Sequence, residues 1–428
     1  MRQSCFLVRC FVKERNLKLD NAKGILITLV VIGHMLLPIQ GTTRGVTNFF
    51  YMIYAFHMPA FVFISGLLAQ RIYTRVPKPA HAPAENCAQR HPHHAANVSA
   101  TQQVTTVGHF NGRRWCSTLW LYLLFQFILF FSEIPAYGRT TRFPDFLHTS
   151  GAPWYLLALL LWYLMIPFFA GCRGKVLPFR PVCSNRRLQL SERRAQSGLP
   201  CSLIAWILLT ILSLAGGYLA SGALAGIGDF LALDRVIAFA PFFFAGYFIG
   251  PERLMEFLGG KQESVRAGRS IVLVLTLLGL FCFVLIGTQT FDRLLPYRNV
   301  VYGAWYYRFH PEQNPAAFPG TLAAQLWLIR LAWFLVSGLM SFALLVLTPN
   351  RQIPLITTIG QRTLQIYILH RPIRDLLLAS GFITAAGPEN SLHVLLLIAL
   401  SLFMTLVLSA GILQRLFDAI QKLPERLF

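Results

Sequence analysis

Apolar residues fall along this chain in long runs, separated by polar stretches rich in arginine and lysine. A helix needs roughly 20 apolar residues to cross the hydrocarbon of a bilayer. About ten runs reach or approach that length. They cover 22–38, 49–68, 115–131, 154–170, 202–219, 236–250, 270–287, 322–347, 356–378 and 392–416. The ninth is the least apolar, because it holds Arg362, His370, Arg371 and Arg374.

The basic residues orient these runs. Lysine and arginine collect in cytoplasmic loops. They cluster before the first run (Arg9, Lys13, Arg15, Lys18, Lys23) and after the second (Arg71, Arg75, Lys78, Arg113, Arg114). Further clusters follow the fourth run (Arg173, Lys175, Arg186, Arg187) and the sixth (Arg253, Lys261, Arg266, Arg269). This alternation suits ten crossings with both termini cytoplasmic. The predicted fold is an all-α membrane protein, multi-pass in the cell membrane, with 1–428 as a single domain. Trp154 and Tyr155 open the fourth run, where aromatic residues favour the membrane interface.

Composition agrees. Of 428 residues, 55% are hydrophobic and 13% are charged, against about a quarter charged in soluble proteins. The 38 Lys+Arg against 17 Asp+Glu give a net charge of +21. Such a balance suits nucleic acid or a membrane surface. The clustering between apolar runs favours the membrane, and no nucleic-acid motif is present. The eight cysteines never form CxxC, which argues against zinc or a disulfide framework. The N-terminus lacks a long apolar core with a small-residue cleavage site, so the first helix is expected to serve as targeting signal. The segment 72–112 contains PKPAHAPAENCAQRHPHHAANVSATQQ and is expected to be a disordered cytoplasmic insert. Its histidines offer no ligand geometry, and no metal site is predicted.

Ionisable residues inside a span are costly and need a reason. Lys23 and His34 lie three helical turns apart, so they point the same way, separated by about 16 Å. Asp20 precedes Lys23 by one turn on that side. The stripe runs acid, cation, imidazole into the bilayer, and its upper two members are expected to line one shared cavity. A neutral imidazole in a dry site is a good general base near neutral pH. A cation at the mouth can hold a phosphate. Coenzyme A has a matching shape: a charged nucleotide, a long arm, then the thioester. Taken alone, Lys23 also reads as a snorkelling end residue.

His57 lies on the second run at a depth similar to His34 and is expected to face it. It reads equally as a packing histidine around Pro59. His370 lies mid-membrane on the ninth run, with Arg362 toward the cytoplasm and Pro372 kinking the helix. Arg235, beside Asp234, reads as a site residue or an interfacial anchor.

These residues resemble a known family. LDNAKGILITLVVIGHM followed by FHMPAFVFISGLLAQR is similar to the opening of the acyltransferase-3 family of integral membrane acyltransferases. Lys23 and His34 match its spacing of a basic residue, ten residues, then histidine. PWYLLALLLWYL, DRVIAFAPFFFAGYFIG and IGQRTLQIYILH resemble later blocks, in the manner of the fucose 4-O-acetylase-like branch. The resemblance implies transfer of an acyl group, usually acetyl, from acyl-CoA to a hydroxyl of a sugar or glycolipid. It implies His34 as base, with His57 at the matching second-helix position, and Lys23 as part of the acyl-donor site, where the stripe adds Asp20. No permanently bound cofactor is implied; acyl-CoA is a substrate. A proton-coupled transporter using His34, His57 and His370 is the competing expectation.

Overall fold

Asn16 starts the first helix, its side-chain oxygen accepting from the backbone N–H of Leu19 at 3.1 Å. That helix, α1 (Leu17–Leu36), is followed by α2 (Arg44–Leu68), capped by Thr43, and α3 (Gly112–Tyr137), capped by Asn111. Then come α4 (Trp154–Ala170), α5 (Cys201–Leu219), α6 (Leu233–Gly259), α7 (Leu326–Leu347), α8 (Ile356–Gln361), α9 (Thr363–Ala379), α10 (Ser391–Leu408) and α11 (Gly411–Gln421). This computed structural model describes residues 15–41, 43–77, 106–138, 140, 143–149, 151–173, 176–178, 198–219, 230–259, 268–276, 279, 326–385 and 391–423. Among these, six helices are long and apolar enough to cross a membrane, and α4 and the stretch Cys201–Gly216 of α5 are shorter apolar helices. The protein is an all-α membrane protein. The predicted seventh run is helical at 270–276, and beyond that only Gly279 is among the described residues.

Helix α1 is the hub, packing against α2, α8, α9 and α10. Two glycine pairs permit the closest approaches. A Cβ on Gly24 would lie 2.3 Å from the Ile356 carbonyl oxygen, and one on Gly360 1.7 Å from that of Asp20. Gly66 of α2 and Gly246 of α6 meet the same way: a Cβ on either would lie 1.9 or 2.1 Å from a carbonyl oxygen across the crossing. Between lipid-immersed helices, small residues of this kind let backbones pack where no hydrophobic gain drives them together. The outer faces of α5, α7 and α10 expose Leu208, Leu335, Leu395 and Phe403, as a lipid-facing surface requires.

In a bilayer every backbone polar group needs a partner inside the protein. Pro59 in α2 has no N–H, which frees the carbonyl one turn back, on Ala55. Ser337 Oγ of α7 donates to that oxygen. A proline defect is thus converted into a helix–helix contact.

Two predicted runs are broken. The run 356–378 is interrupted at Arg362, which leaves helical geometry (φ −118°, ψ 26°) and separates α8 from α9. The run 392–416 ends as a straight helix at Leu408, and Ala410 is extended (φ −60°, ψ 145°) before α11. Apolar residues continue through Leu416, but Gln414, Arg415, Asp418 and Gln421 give α11 a polar side that a spanning helix would not tolerate. Arg362 Nη1 donates to Ser409 O at 2.5 Å, and Gln365 Nε2 donates to Leu408 O at 2.6 Å. Both satisfy carbonyls freed where α10 stops.

The edges of the 72–112 segment are ordered rather than loose. Strand β1 (Tyr73–Pro77) pairs antiparallel with β2 (Thr106–Phe110), Tyr73 opposite Phe110 and Pro77 opposite Thr106. Residues 78–105 lie outside the described residues, including His81, His91, His93 and His94. A second short ladder, β3 (Val176–Pro178) with β4 (Gly198–Pro200), closes the basic loop before α5.

Candidate active site

Helices α1, α2, α4, α6 and α9 surround a chamber of about 170 Å³. Its polar lining comes from His34, Tyr54, His57, Trp154, Arg235 and Arg371. A second cavity of about 250 Å³ lies toward the start of α1, with Lys23, Arg114, Ser65, Tyr155 and Gln421 on its walls. Both cavities touch Val30, Met58 and Tyr367. The one shared cavity expected for Lys23 and His34 is therefore two chambers, with these three side chains between them. The reason is size: apolar residues on the α1 face between the cation and the imidazole fill the space that the spacing alone leaves open. A larger slot of about 720 Å³ between α2, α5, α6 and α7 is lined by apolar groups such as Trp206, Phe242 and Phe342, and none of the predicted site residues reaches it.

At the mouth, Lys23 Nζ lies 2.8 Å from Asp20 Oδ1, and Asp20 Oδ2 lies 3.3 Å from Arg15 Nε. Asp20 is buried and sits behind Lys23, off the cavity wall. Arg114 adds a second cation, and among the described residues no carboxylate lines this cavity. Ser65 and Tyr155 share a 2.5 Å hydroxyl contact on its wall.

The inner chamber is organised around rings. His34 meets His370 at 5.1 Å between centroids and Tyr54 at 6.5 Å; Tyr54 in turn meets His57 at 4.7 Å. The expected face-to-face pairing of His34 with His57 is replaced by His34 with His370, and Tyr54 touches both α1 and α2 histidines. His57 Nδ1 lies 2.7 Å from Ile53 O, and His370 Nδ1 lies 3.0 Å from Ile366 O. A carbonyl only accepts, so in both rings Nδ1 carries the proton and Nε2 the lone pair. The bond to Ile53 makes His57 a packing histidine as well as a chamber residue, so the two sequence readings hold together.

Arg235 lies 4.0 Å from Asp234, donates to Thr149 O at 3.4 Å, and stacks over Trp154 at 5.4 Å. Phe239 stacks with Trp154 at 5.2 Å between centroids. Arg362 lines neither cavity; its role is the α10 terminus described above.

Sequence reading missed a buried ionic cluster beside the chamber. Arg371 Nη2 lies 3.6 Å from both Glu133 Oε1 and Asp375 Oδ1. Arg374 Nη1 lies 2.7 Å from Asp375 Oδ1 and also donates to Tyr137 Oη. Ser132 Oγ donates to Asp375 Oδ2 at 3.3 Å. Asp375 was the available signal: an acid inside a run already carrying three arginines. Tyr54, one turn before His57, was equally legible as a chamber residue, since both lie on one face of α2.

These features define a class: an all-α membrane protein with a cation-bearing cavity beside a buried chamber of imidazoles and arginines. The chain belongs to the acyltransferase-3 family, whose model, described as an acyltransferase domain, matches residues 16–81 and 106–413. The match is interrupted across the stretch between β1 and β2. Over 59 residues the chain is 55% identical to the nodulation protein NolL of Mesorhizobium japonicum and 50% identical to that of Sinorhizobium fredii. Each match covers 13% of this chain and 16% of the relative, so the chain spans about a sixth of the curated relatives it matches. No solved structure matches the chain.

Proposed function

We propose that the protein is a membrane O-acyltransferase that moves an acyl group, acetyl in the first instance, from acyl-CoA to a hydroxyl of a sugar or glycolipid at the cell membrane. The observation that carries this reading is the order of parts: two cations on the mouth cavity, a junction at Val30, Met58 and Tyr367, then His34 in a buried chamber.

In this reading Lys23 and Arg114 hold donor phosphates, and Asp20 keeps Lys23 in place. The pantetheine arm extends past Val30 and brings the thioester carbonyl to His34. The acceptor hydroxyl enters the inner chamber. His34 takes the hydroxyl proton as the oxygen attacks the carbonyl carbon. The C–O bond forms, the carbonyl π pair moves to oxygen, and its return breaks the C–S bond. The departing thiolate takes the proton from His34, so the ring ends neutral. Base catalysis of this kind contributes about 10² to 10⁴ in rate. His57 and Tyr54 frame the acceptor pocket beside His34.

The test is acyl transfer from radiolabelled acetyl-CoA by purified protein in lipid, wild type against His34→Ala. Full activity in the variant removes the proposed base. Family membership favours transfer over transport, and substrate flux in vesicles free of acyl-CoA would restore the transporter reading. Mass spectrometry of surface glycans with and without the protein identifies the acceptor by its lost acetyl group.

A further inference from the structure

Two buried imidazole nitrogens lack partners among the described residues, and they belong to neighbouring rings. His34 Nδ1 and His370 Nε2 are both buried without a hydrogen bond, while the rings stand 5.1 Å apart and tilted by 47°. Leaving a polar atom unpaired in such a place costs on the order of 1–3 kcal/mol. A centroid spacing of 5.1 Å is within the range that a hydrogen bond between two imidazoles can span. Catalytic contacts are often long in an empty site and shorten when substrate closes it.

The tautomer of His370 is already decided. Its Nδ1–H is committed to Ile366 O at 3.0 Å, so Nε2 is an acceptor. His370 is fully buried and does not line the chamber, whereas His34 is partly open to it. His34 Nδ1 is the enclosed nitrogen of that ring. Arg374 Nε fixes the backbone of His34 by donating to its carbonyl oxygen at 3.2 Å, which ties this ring to the helix that carries His370.

We infer that His370 is a positioning residue that accepts the Nδ1 proton of His34 and so places the lone pair of His34 on Nε2, toward the chamber. This rests on the reading of His34 as base and gives that base its orientation. A hydrogen bond on one imidazole nitrogen sets which tautomer the ring adopts and steadies the imidazolium formed during proton transfer. In most enzymes a carboxylate or carbonyl does this; here a second imidazole stands in that place. It receives a proton only in the sense of a hydrogen bond, and its own proton stays on Nδ1.

The experiment has two arms. In the first, ¹⁵N-histidine-labelled full-length protein in lipid is compared by solid-state NMR with His370→Ala and His34→Ala, which assign the two rings by difference. The expected wild-type spectrum shows His34 protonated at Nδ1 and bare at Nε2, and His370→Ala shifts the population toward Nε2–H. A wild-type His34 protonated at Nε2 overturns the inference, whatever the activity. In the second arm, His370→Ala lowers kcat by about 10- to 100-fold at unchanged KM for acetyl-CoA, and His370→Gln, whose amide oxygen can accept, recovers most of the loss. Adding His370→Ala to His34→Ala lowers the residual rate no further. An equal loss in both backgrounds overturns the inference. An inactive wild type with the expected spectrum would instead defeat the acyl-transfer reading and leave the tautomer assignment standing.

Discussion

Arg374 donates from Nε to the backbone oxygen of His34 across 3.2 Å, while its Nη1 lies 2.7 Å from Asp375. The end of α1 is thereby fastened to a charged side chain of α9, and that side chain is fastened to an acid. Asp375 is fully buried and faces Arg371 as well as Ser132. Asp375→Asn keeps the shape but leaves two buried guanidiniums with too little negative charge. Breaking a buried pair from one side costs about 3–5 kcal/mol. Thermal unfolding in detergent is expected to show a drop of several degrees. A midpoint within about 1 °C of wild type would show that the cluster does not hold the helices together.

Lys23 faces the mouth cavity while paired with Asp20. A residue that binds donor phosphates equally in ground and transition states changes KM rather than kcat. Lys23→Ala is expected to raise KM for acetyl-CoA about tenfold, equivalent to ~1.4 kcal/mol, with kcat within about twofold. Lys23→Arg should sit near wild type. Steady-state kinetics at fixed acceptor decides it, and a pure kcat effect would overturn the proposed donor-binding role of Lys23.

The crossing of α1 with α8 has no room for a methyl group. Gly360→Ala places Cβ 1.7 Å from Asp20 O, which is main chain and cannot rotate away. Overpacking of this kind costs about 1–3 kcal/mol or more. Gly338→Ala is the control, since nothing lies within 4 Å of the added atom. The yield of monodisperse protein is expected to fall for Gly360→Ala and to hold for Gly338→Ala. Equal yields would mean that α8 shifts freely against α1.

The membrane class and most helix positions could be read from sequence, and His34, His57 and Arg235, which line one chamber, stood out there, because a bilayer imposes long apolar runs and makes each polar interruption informative. The breaks at Arg362 and Ala410 could not. Hydropathy averages over a window, whereas these breaks depend on single backbone conformations clamped from neighbouring helices by Arg362 and Gln365. Pairing was the other blind spot. Helical spacing shows which residues share a face, but not that α9 rather than α2 supplies the ring nearest His34. The junction at Val30 was hidden for the same reason, since it is made by three elements at once.

The pairing of Pro77 with Thr106 makes the segment between them separable. Replacing 78–105 by Asn-Gly supplies a two-residue turn suited to an antiparallel pair. The family match passes over 82–105, which places the acyltransferase architecture on either side of it. The shortened protein is expected to fold and to keep its transfer rate within about threefold, well under the tenfold that 1.4 kcal/mol represents. Loss of activity with retained folding would assign the segment a direct role, such as holding the donor or a partner.

Val30 stands where the two chambers meet and is 2% exposed. If the thioester passes this point, the bulk of residue 30 controls which acyl groups arrive. One methylene in an apolar pocket is worth about 1–3 kcal/mol of discrimination, or 10- to 200-fold. Val30→Ala removes two methyl groups and is expected to raise kcat/KM for butanoyl-CoA relative to acetyl-CoA by at least about tenfold. Val30→Phe should lower turnover of both donors, the longer more steeply, while free coenzyme A still competes at the Lys23 mouth. Competition assays with paired donors give the ratio directly. A donor ratio unmoved by either change would mean that the acyl group reaches His34 by another route.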